Sequence, residues 1–233
     1  MTPENRNEKN NYEKGNTSRM DNLTDAVFGI AITLLIFNLV NPNSFSDLLT
    51  FTKTLPAFLI SISFLMIFWF EHHRFSKKYN ISNTSFTVLN VLFIALIIFY
   101  VYPLRFLTLF LTTAFFNIDL GLSIDSYQAP LLMIYYGSAA FALYFTLFLF
   151  YYKAYKMRIA LMLTESETVY TKAQKNKLMI LCAVPLLSVL LTIIINPFSY
   201  GLATAVGGFT YGLYVPAMFL WKRSLSKQRR KSF

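Results

Sequence analysis

Apolar residues fall in long runs, and the polar residues gather between them. Six runs stand out, at about 23–40, 53–74, 84–112, 130–153, 176–196 and 200–221. The first stops at Asn41-Pro42-Asn43, and the third carries Pro103 and Arg105 in its outer third. Each has room for the roughly 20 residues that a helix needs to cross about 30 Å of hydrocarbon. The pattern predicts an all-α membrane protein with six transmembrane helices and no internal repeat. Residues 1–20 are expected as a polar N-terminal tail, 21–222 as the membrane domain, and 223–233 as a basic C-terminal tail. The stretch 154–176 mixes charge with a short apolar core. It predicts an extension of the fourth helix and then a connector, with Thr164 and Glu167 spaced for a capping box before the fifth helix.

Composition agrees. The 233 residues are 55% hydrophobic and 14% charged, with 24 Phe, 15 Tyr and a mean hydropathy of +0.48. Soluble domains carry roughly 25% charged residues. Residues 1–22 have no apolar core and no small-residue cleavage site, so they predict a mobile cytoplasmic tail rather than a signal peptide. The one cysteine, Cys182, lies in an apolar run and forms no intrachain disulfide.

The net charge of +10 changes the picture through its placement. Nineteen of the 21 Lys and Arg lie in the N-terminal tail, the 2–3 and 4–5 connections and the C-terminal tail; Lys53 and Arg105 are the exceptions. The positive-inside rule therefore predicts a multi-pass protein of the cell membrane with both termini cytoplasmic. An even number of spans requires the same. Because the cations flank helix ends, anionic lipid accounts for them and no nucleic-acid partner is expected.

Asp25 sits against the first apolar run. On a wheel of about 100° per residue with Ile30 at zero, Leu34 falls near 40°, Phe37 near −20°, Asn41 near 20° and Thr33 near −60°. Asp25 falls near −140° and Thr24 near 120° on the same wheel, away from that stripe. An acid in a first helical turn suits the positive end of the helix dipole. It can equally be a buried anchor, hydrogen-bonded to neighbouring helices. His72 and His73 are adjacent, so their side chains diverge by about 100° and cannot chelate one metal side by side. Trp69 and His73 are four apart and can share a face. Gly208-x-x-x-Gly212 and Gly137-Ser-Ala-Ala offer close helix approach. No triad, phosphate loop or metal-ligand cluster is present in the sequence, so neither an enzyme nor a cofactor is expected.

The motif Arg19-x-x-x-Leu23-Thr24-Asp25, followed by AVFGIAITLLIFNLVNP, resembles the first helix of the transmembrane protein 175 family of potassium channels. That family's signature is R-x-x-x-F-S-D before a run such as A-x-F-A-I-A-I-T-L-L. FWFEHHRF, Phe68 to Phe75, resembles its second-helix motif of a tryptophan, two histidines and an arginine. Asn90 and Pro103 fit the third helix in general pattern. Leu23 stands for the usual Phe, Thr24 for Ser, and Asn38 for an acid near the outer mouth.

The resemblance implies a potassium-permeable, weakly selective cation channel. Its pore is lined by helix 1 of a homotetramer, with an apolar constriction at Ile30, Leu34 and Phe37, Thr33 beside it, and Asn38 and Asn41 at the outer mouth. No carbonyl filter of the TVGYG kind is present. The resemblance also implies a structural polar network of Arg19, Thr24, Asp25, Trp69, His72 and His73 at the cytoplasmic end of helices 1 and 2. Permeant K⁺ and other monovalent cations, the bilayer and identical subunits are the expected partners. A secondary transporter or other small-solute carrier is the alternative; it would usually show broken helices and charges near the midplane.

Overall fold

The computed structural model describes residues 3–37, 42–79, 81, 83–117 and 124–231; within the helices, the side chains of 3–18, 37, 111, 114, 115 and 224–231 lie outside the description. The described residues are helical, with no strand among them. The helices are α1 (Pro3–Phe37), α2 (Phe45–Lys53), α3 (Leu55–Tyr79), α4 (Thr84–Phe116), α5 (Gln128–Lys156), α6 (Glu165–Ile195), α7 (Tyr200–Thr210) and α8 (Tyr214–Lys231), with a 3-10 turn at Tyr211–Leu213 between the last two. Among the described residues, five stretches are long and apolar enough to cross a membrane: α3, Thr84–Phe110 of α4, α5, α6, and Tyr200–Arg223 across α7 and α8. The first expected span runs into Asn38–Asn41, which lie outside the described residues.

The element ends follow local chemistry. Pro3 opens α1, where its missing N–H is no loss. The polar stretch expected as a tail is helical from Pro3 and runs without a break into the apolar part of α1. Ser44 caps α2 through its hydroxyl, and Asn83 caps α4 by accepting from Ser85 N–H at 3.0 Å. Asn117, at φ 52°, ends α4 in the left-handed region that Asn tolerates. Thr164 and Glu167 form a reciprocal capping box. The fourth apolar helix runs on past its expected span to Lys156, a connector of turns follows, and the cap starts α6 at Glu165. The last expected span is not one continuous helix. Pro216 has no N–H to offer the carbonyl of Gly212, and the chain tightens into a 3-10 turn just before it.

The chain forms two compact units, Met1–Ser123 and Ile124–Phe233. In the first, α1 and α3 both pack on α4 and touch each other. Val27, Phe28, Ala31 and Leu35 of α1 are buried with Leu65, Phe68 and Phe75 of α3 and Leu89, Phe93, Ile97 and Leu104 of α4. The Phe28 and Phe93 rings lie 6.1 Å apart, and Phe68 meets Tyr100 edge-on at 5.9 Å. Deeper along α3, the buried Ser61 and Thr108 hydroxyls bond at 2.6 Å, which joins α3 to α4 without exposing a polar group to lipid.

In the second unit, α5, α6 and α7 pack around Leu143, Leu147, Phe150, Tyr151, Leu178, Cys182 and Ala203. Gly207 lets α7 approach α6 closely: a Cβ there would collide with the Thr192 hydroxyl, and the Ser188 hydroxyl donates to the Gly207 carbonyl at 2.7 Å. Gly137 plays the same part for α5, under Val189 and Tyr211. Gly208 and Gly212, expected as the small-residue pair, meet nothing within 4 Å. The sequence spacing picked the neighbouring face of the helix.

Candidate functional site

Helix α1 presents two unlike faces. Thr24, Val27, Phe28, Ala31 and Leu35 recur every three or four residues and are buried under α3 and α4. The opposite face carries Leu23, Ile30, Thr33 and Leu34 and is exposed; Ile30 is 56% and Leu34 38% accessible. The Thr33 hydroxyl donates to the Gly29 carbonyl at 2.8 Å. Its hydrogen is thereby committed to the backbone, and what it presents outward is an acceptor oxygen. No charged side chain interrupts this face from Ala26 to Leu34. Backbone Phe37 continues the helix, but its side chain, together with Asn38 and Asn41, lies outside the described residues.

At the base of that helix a polar chain crosses the first unit. Asn90, in the second turn of apolar α4, donates its amide N–H to Thr24 Oγ1 at 3.0 Å. Thr24 in turn donates to the Met20 carbonyl at 2.9 Å. With the Asn90 amide group so oriented, its oxygen accepts from His72 Nε2 at 2.7 Å, which fixes the proton on that nitrogen. Thr24, His72 and Asn90 are all buried. The His72 ring also stacks on Phe93 at 4.8 Å and 9°. One hydrogen-bonded line thus ties α1, α4 and α3 together in a region where an unmatched polar group would cost about 1–3 kcal/mol.

A second, exposed tie runs beside it. Trp69 Nε1–H donates to Asp25 Oδ1 at 2.8 Å, and His73 stacks on the Trp69 indole at 4.9 Å and 17°. One turn below Asp25, the Ser76 hydroxyl donates to Asp21. Burial raises the Asp21 carboxyl above its ordinary value; the Ser76 hydroxyl opposes this, and the Asp25 charge adds to it. Glu71 and Arg74 pair across one turn of α3 at 3.6 Å.

Of the residues expected in the network, Thr24, Asp25, Trp69, His72 and His73 are brought together at one end of α1 and α3. The two histidines divide the work: His72 reaches Thr24 through Asn90, and His73 supports the indole that holds Asp25. Asp25 is exposed in the single chain, not buried as an anchor would be. Arg19 is exposed and makes no hydrogen bond or ion pair with this group among the described residues. At about 100° per residue it lies about 20° from Ile30, on the uncovered face of α1. Three participants were not singled out as site residues: Asp21, Ser76 and Asn90. Asn90 had a readable signal, since an amide inside an apolar membrane helix demands a partner.

The comparisons bear on this geometry. The family model described as endosomal/lysosomal potassium channel TMEM175 matches residues 19–100, which span the α1 face and both ties. A potassium channel of Marivirga tractuosa is 35% identical over 222 residues, covering 92% of this chain and 90% of the relative. A potassium channel of Chamaesiphon minutus is 30% identical over 107 residues, covering 42% of this chain and 53% of the relative. Among solved structures, a crystal structure of a variant of the potassium channel MtTMEM175, in complex with a nanobody–MBP fusion, matches with a TM-score of 0.80 at 34% identity, over 90% of this chain and 93% of that one. At 90% of the chain or more, the two long matches take in most of both units. This chain belongs to the TMEM175 family of potassium channels.

Proposed function

We propose that the protein is a potassium-permeable, weakly selective cation channel of the cell membrane, in which the exposed face of α1 lines a central pore between four identical copies. The observation that carries this is the asymmetry of α1. One face is fixed against α3 and α4, whereas Ile30 and Thr33 face outward, with no covering element from their own unit among the described residues. Four such faces around an axis would place rings of Ile30, Thr33, Leu34 and Phe37 on the ion path, with Asn38 and Asn41 at the outer mouth.

An apolar ring opposes ion entry by dewetting, and it favours the cation that sheds water at lower cost, K⁺ over Na⁺. The Thr33 oxygen, free to accept, offers a weak partner to a partly dehydrated cation. A ring of this kind discriminates less than a carbonyl filter. In this reading α1 is the first of six spans, and the basic connections hold both termini in the cytoplasm. The polar ties at the base of α1 set the pore helix against a rigid backing.

Single-channel recording of the purified protein in a planar bilayer, under opposed K⁺ and Na⁺ gradients, tests this. Discrete openings with a reversal potential displaced toward that of K⁺ are expected. Transport without unitary currents would make it a carrier. Cysteine labelling at Ser44 from outside sealed cells tests the orientation: Ser44→Cys should react, and a cysteine in the C-terminal tail should not.

A further inference from the structure

The second unit carries a cluster of cations and tyrosines apart from the α1 face. At the end of α5, Lys156 Nζ lies 4.9 Å over the Tyr152 ring. The Arg158 guanidinium and Lys175 Nζ, from the turn and from α6, each lie 5.0 Å from the centre of one ring, Tyr155. Two positive groups therefore sit no farther apart than twice that distance. Arg158 is held in place, because it also donates to the Tyr155 carbonyl at 3.2 Å. No carboxylate is paired with Lys156, Arg158 or Lys175 among the described residues. The same connection carries two acids, Glu165, which is exposed, and Glu167, which accepts from the Thr164 backbone and hydroxyl at 3.0 and 3.1 Å in the capping box.

The turn that bears Arg158 is closed by backbone bonds from Leu161 N–H to Met157 O at 2.9 Å and from Leu163 N–H to Arg158 O at 3.0 Å. Its depth follows from the sequence. Lys153 and Lys156 come just after the apolar run of α5, and Lys175 and Lys177 just before that of α6. The cluster thus stands at the level of lipid headgroups, where tyrosines concentrate. Aromatic contact lowers the cost of gathering like charges, but it does not neutralise them.

We propose that Arg158, Lys175 and Lys156 form a binding site for the phosphate of an anionic phospholipid at the headgroup level of the α5–α6 pair. The guanidinium supplies a planar pair of donors to phosphate oxygens, the Lys175 ammonium shares the Tyr155 ring with it, and Lys156 adds a cation at the same end of α5. Only the assignment to the cytoplasmic leaflet rests on the orientation given under Proposed function.

The test uses the full chain in nanodiscs made either of phosphatidylcholine alone or with added phosphatidylglycerol, read by native mass spectrometry of retained lipid and by thermal unfolding. The wild type should retain phosphatidylglycerol and gain thermal stability from it. Arg158→Gln with Lys175→Gln should weaken that retention by roughly tenfold or more, given about 1 kcal/mol per cation near an anionic surface. In phosphatidylcholine the double variant should lose only what the Tyr155 contacts contribute, whereas the gain from added phosphatidylglycerol should disappear. Lys156→Gln, at an exposed position, should give a smaller loss in a chain whose packing is untouched, so a folding defect of the double variant does not blunt the test. Wild-type retention in the double variant would overturn the site. So would an equal loss in the control Lys222→Gln with Arg223→Gln, or displacement of the lipid by inorganic phosphate at matched concentration, which would indicate a free-phosphate site. The readout involves no ion current, and nanodisc leaflets are alike, so its failure and the failure of the channel reading are told apart.

Discussion

Trp69 donates its indole N–H to the Asp25 carboxylate at 2.8 Å, across 44 positions of sequence, and so ties the start of the apolar part of α1 to α3. The tie is exposed in the single chain, and His73 stacks on the indole. An exposed charge-assisted bond is worth less than a buried one, and the lower end of about 1.5–3 kcal/mol applies here. Asp25→Ala and Trp69→Phe should each lower thermal stability in detergent, and the double variant should lose little more than either alone, since both remove one bond. Additive losses would show that the two side chains do not act together. Reversal potentials should hardly move: Asp25 lies about 140° around α1 from Ile30 on a 100° wheel, away from the proposed pore face. A stable, correctly assembled Asp25→Ala with a shifted reversal potential would place the acid on the ion path instead.

The buried line through Asn90 should matter more. Asn90→Leu leaves the buried Thr24 hydroxyl without its donor and the buried His72 Nε2–H without its acceptor. A loss of about 1–3 kcal/mol for each is expected. The unfolding midpoint of Asn90→Leu should therefore fall further than that of Asp25→Ala. The reverse order would mean that the exposed tie, rather than the buried line, holds α1 in place.

Ile30 is 56% exposed in the chain, so a polar replacement there loses little packing within the subunit. Ile30→Asn should fold normally, wet the proposed ring, raise current and erode K⁺/Na⁺ discrimination, because hydrated Na⁺ could then pass. Paired measurements of conductance and reversal potential check this. Unchanged values in both would make Ile30 a packing residue and put the pore elsewhere.

Asp21 gives a dependence on pH with a definite sign. Burial raises its folded-state pKa above the unfolded one, with Ser76 opposing and Asp25 reinforcing the shift. The folded state then binds the proton more tightly, so the charged form costs stability above the folded pKa. That cost disappears as pH falls to the unfolded value. Melting profiles across mildly acidic pH should show this gain on acidification in the wild type and its absence in Asp21→Asn. A wild type that only loses stability on acidification from neutral pH would contradict it.

Gly207→Ala places a methyl group against the buried Thr192 hydroxyl, which is already donating to the Ser188 carbonyl at 2.7 Å. Overpacking of this kind costs about 1–3 kcal/mol. Gly208→Ala, with open space around it, should be neutral or slightly stabilising, since alanine is the better helix former. Equal effects of the two substitutions on the unfolding midpoint would contradict the close approach of α6 and α7.

What the sequence determined by itself was the solvent and the class. A run such as that of α6, apolar over an 18-residue window, can satisfy its own backbone in a bilayer only as a helix, whereas a barrel strand would be shorter and alternate, so length and composition suffice to place it. The motif around Arg19 to Asp25 and the pair His72-His73 also gave the family, because they are local strings. Even the opposition of Ile30 and Thr24 on α1 was readable, since helical periodicity converts spacing directly into angle.

Tertiary structure decided what depends on distance along the chain. Spacing could not say that His72 reaches Thr24 through Asn90 or that Trp69 finds Asp25, because those partners lie on different helices and their meeting depends on crossing geometry. Nor could it choose Gly207 over Gly208: neighbours on a helix point about 100° apart, and only the packed position of α6 determines which of the two must have no side chain. Arg19 shows the same limit from the other side. It belongs to the motif by sequence, but the turn of the helix carries it to the uncovered face, away from the residues it was grouped with.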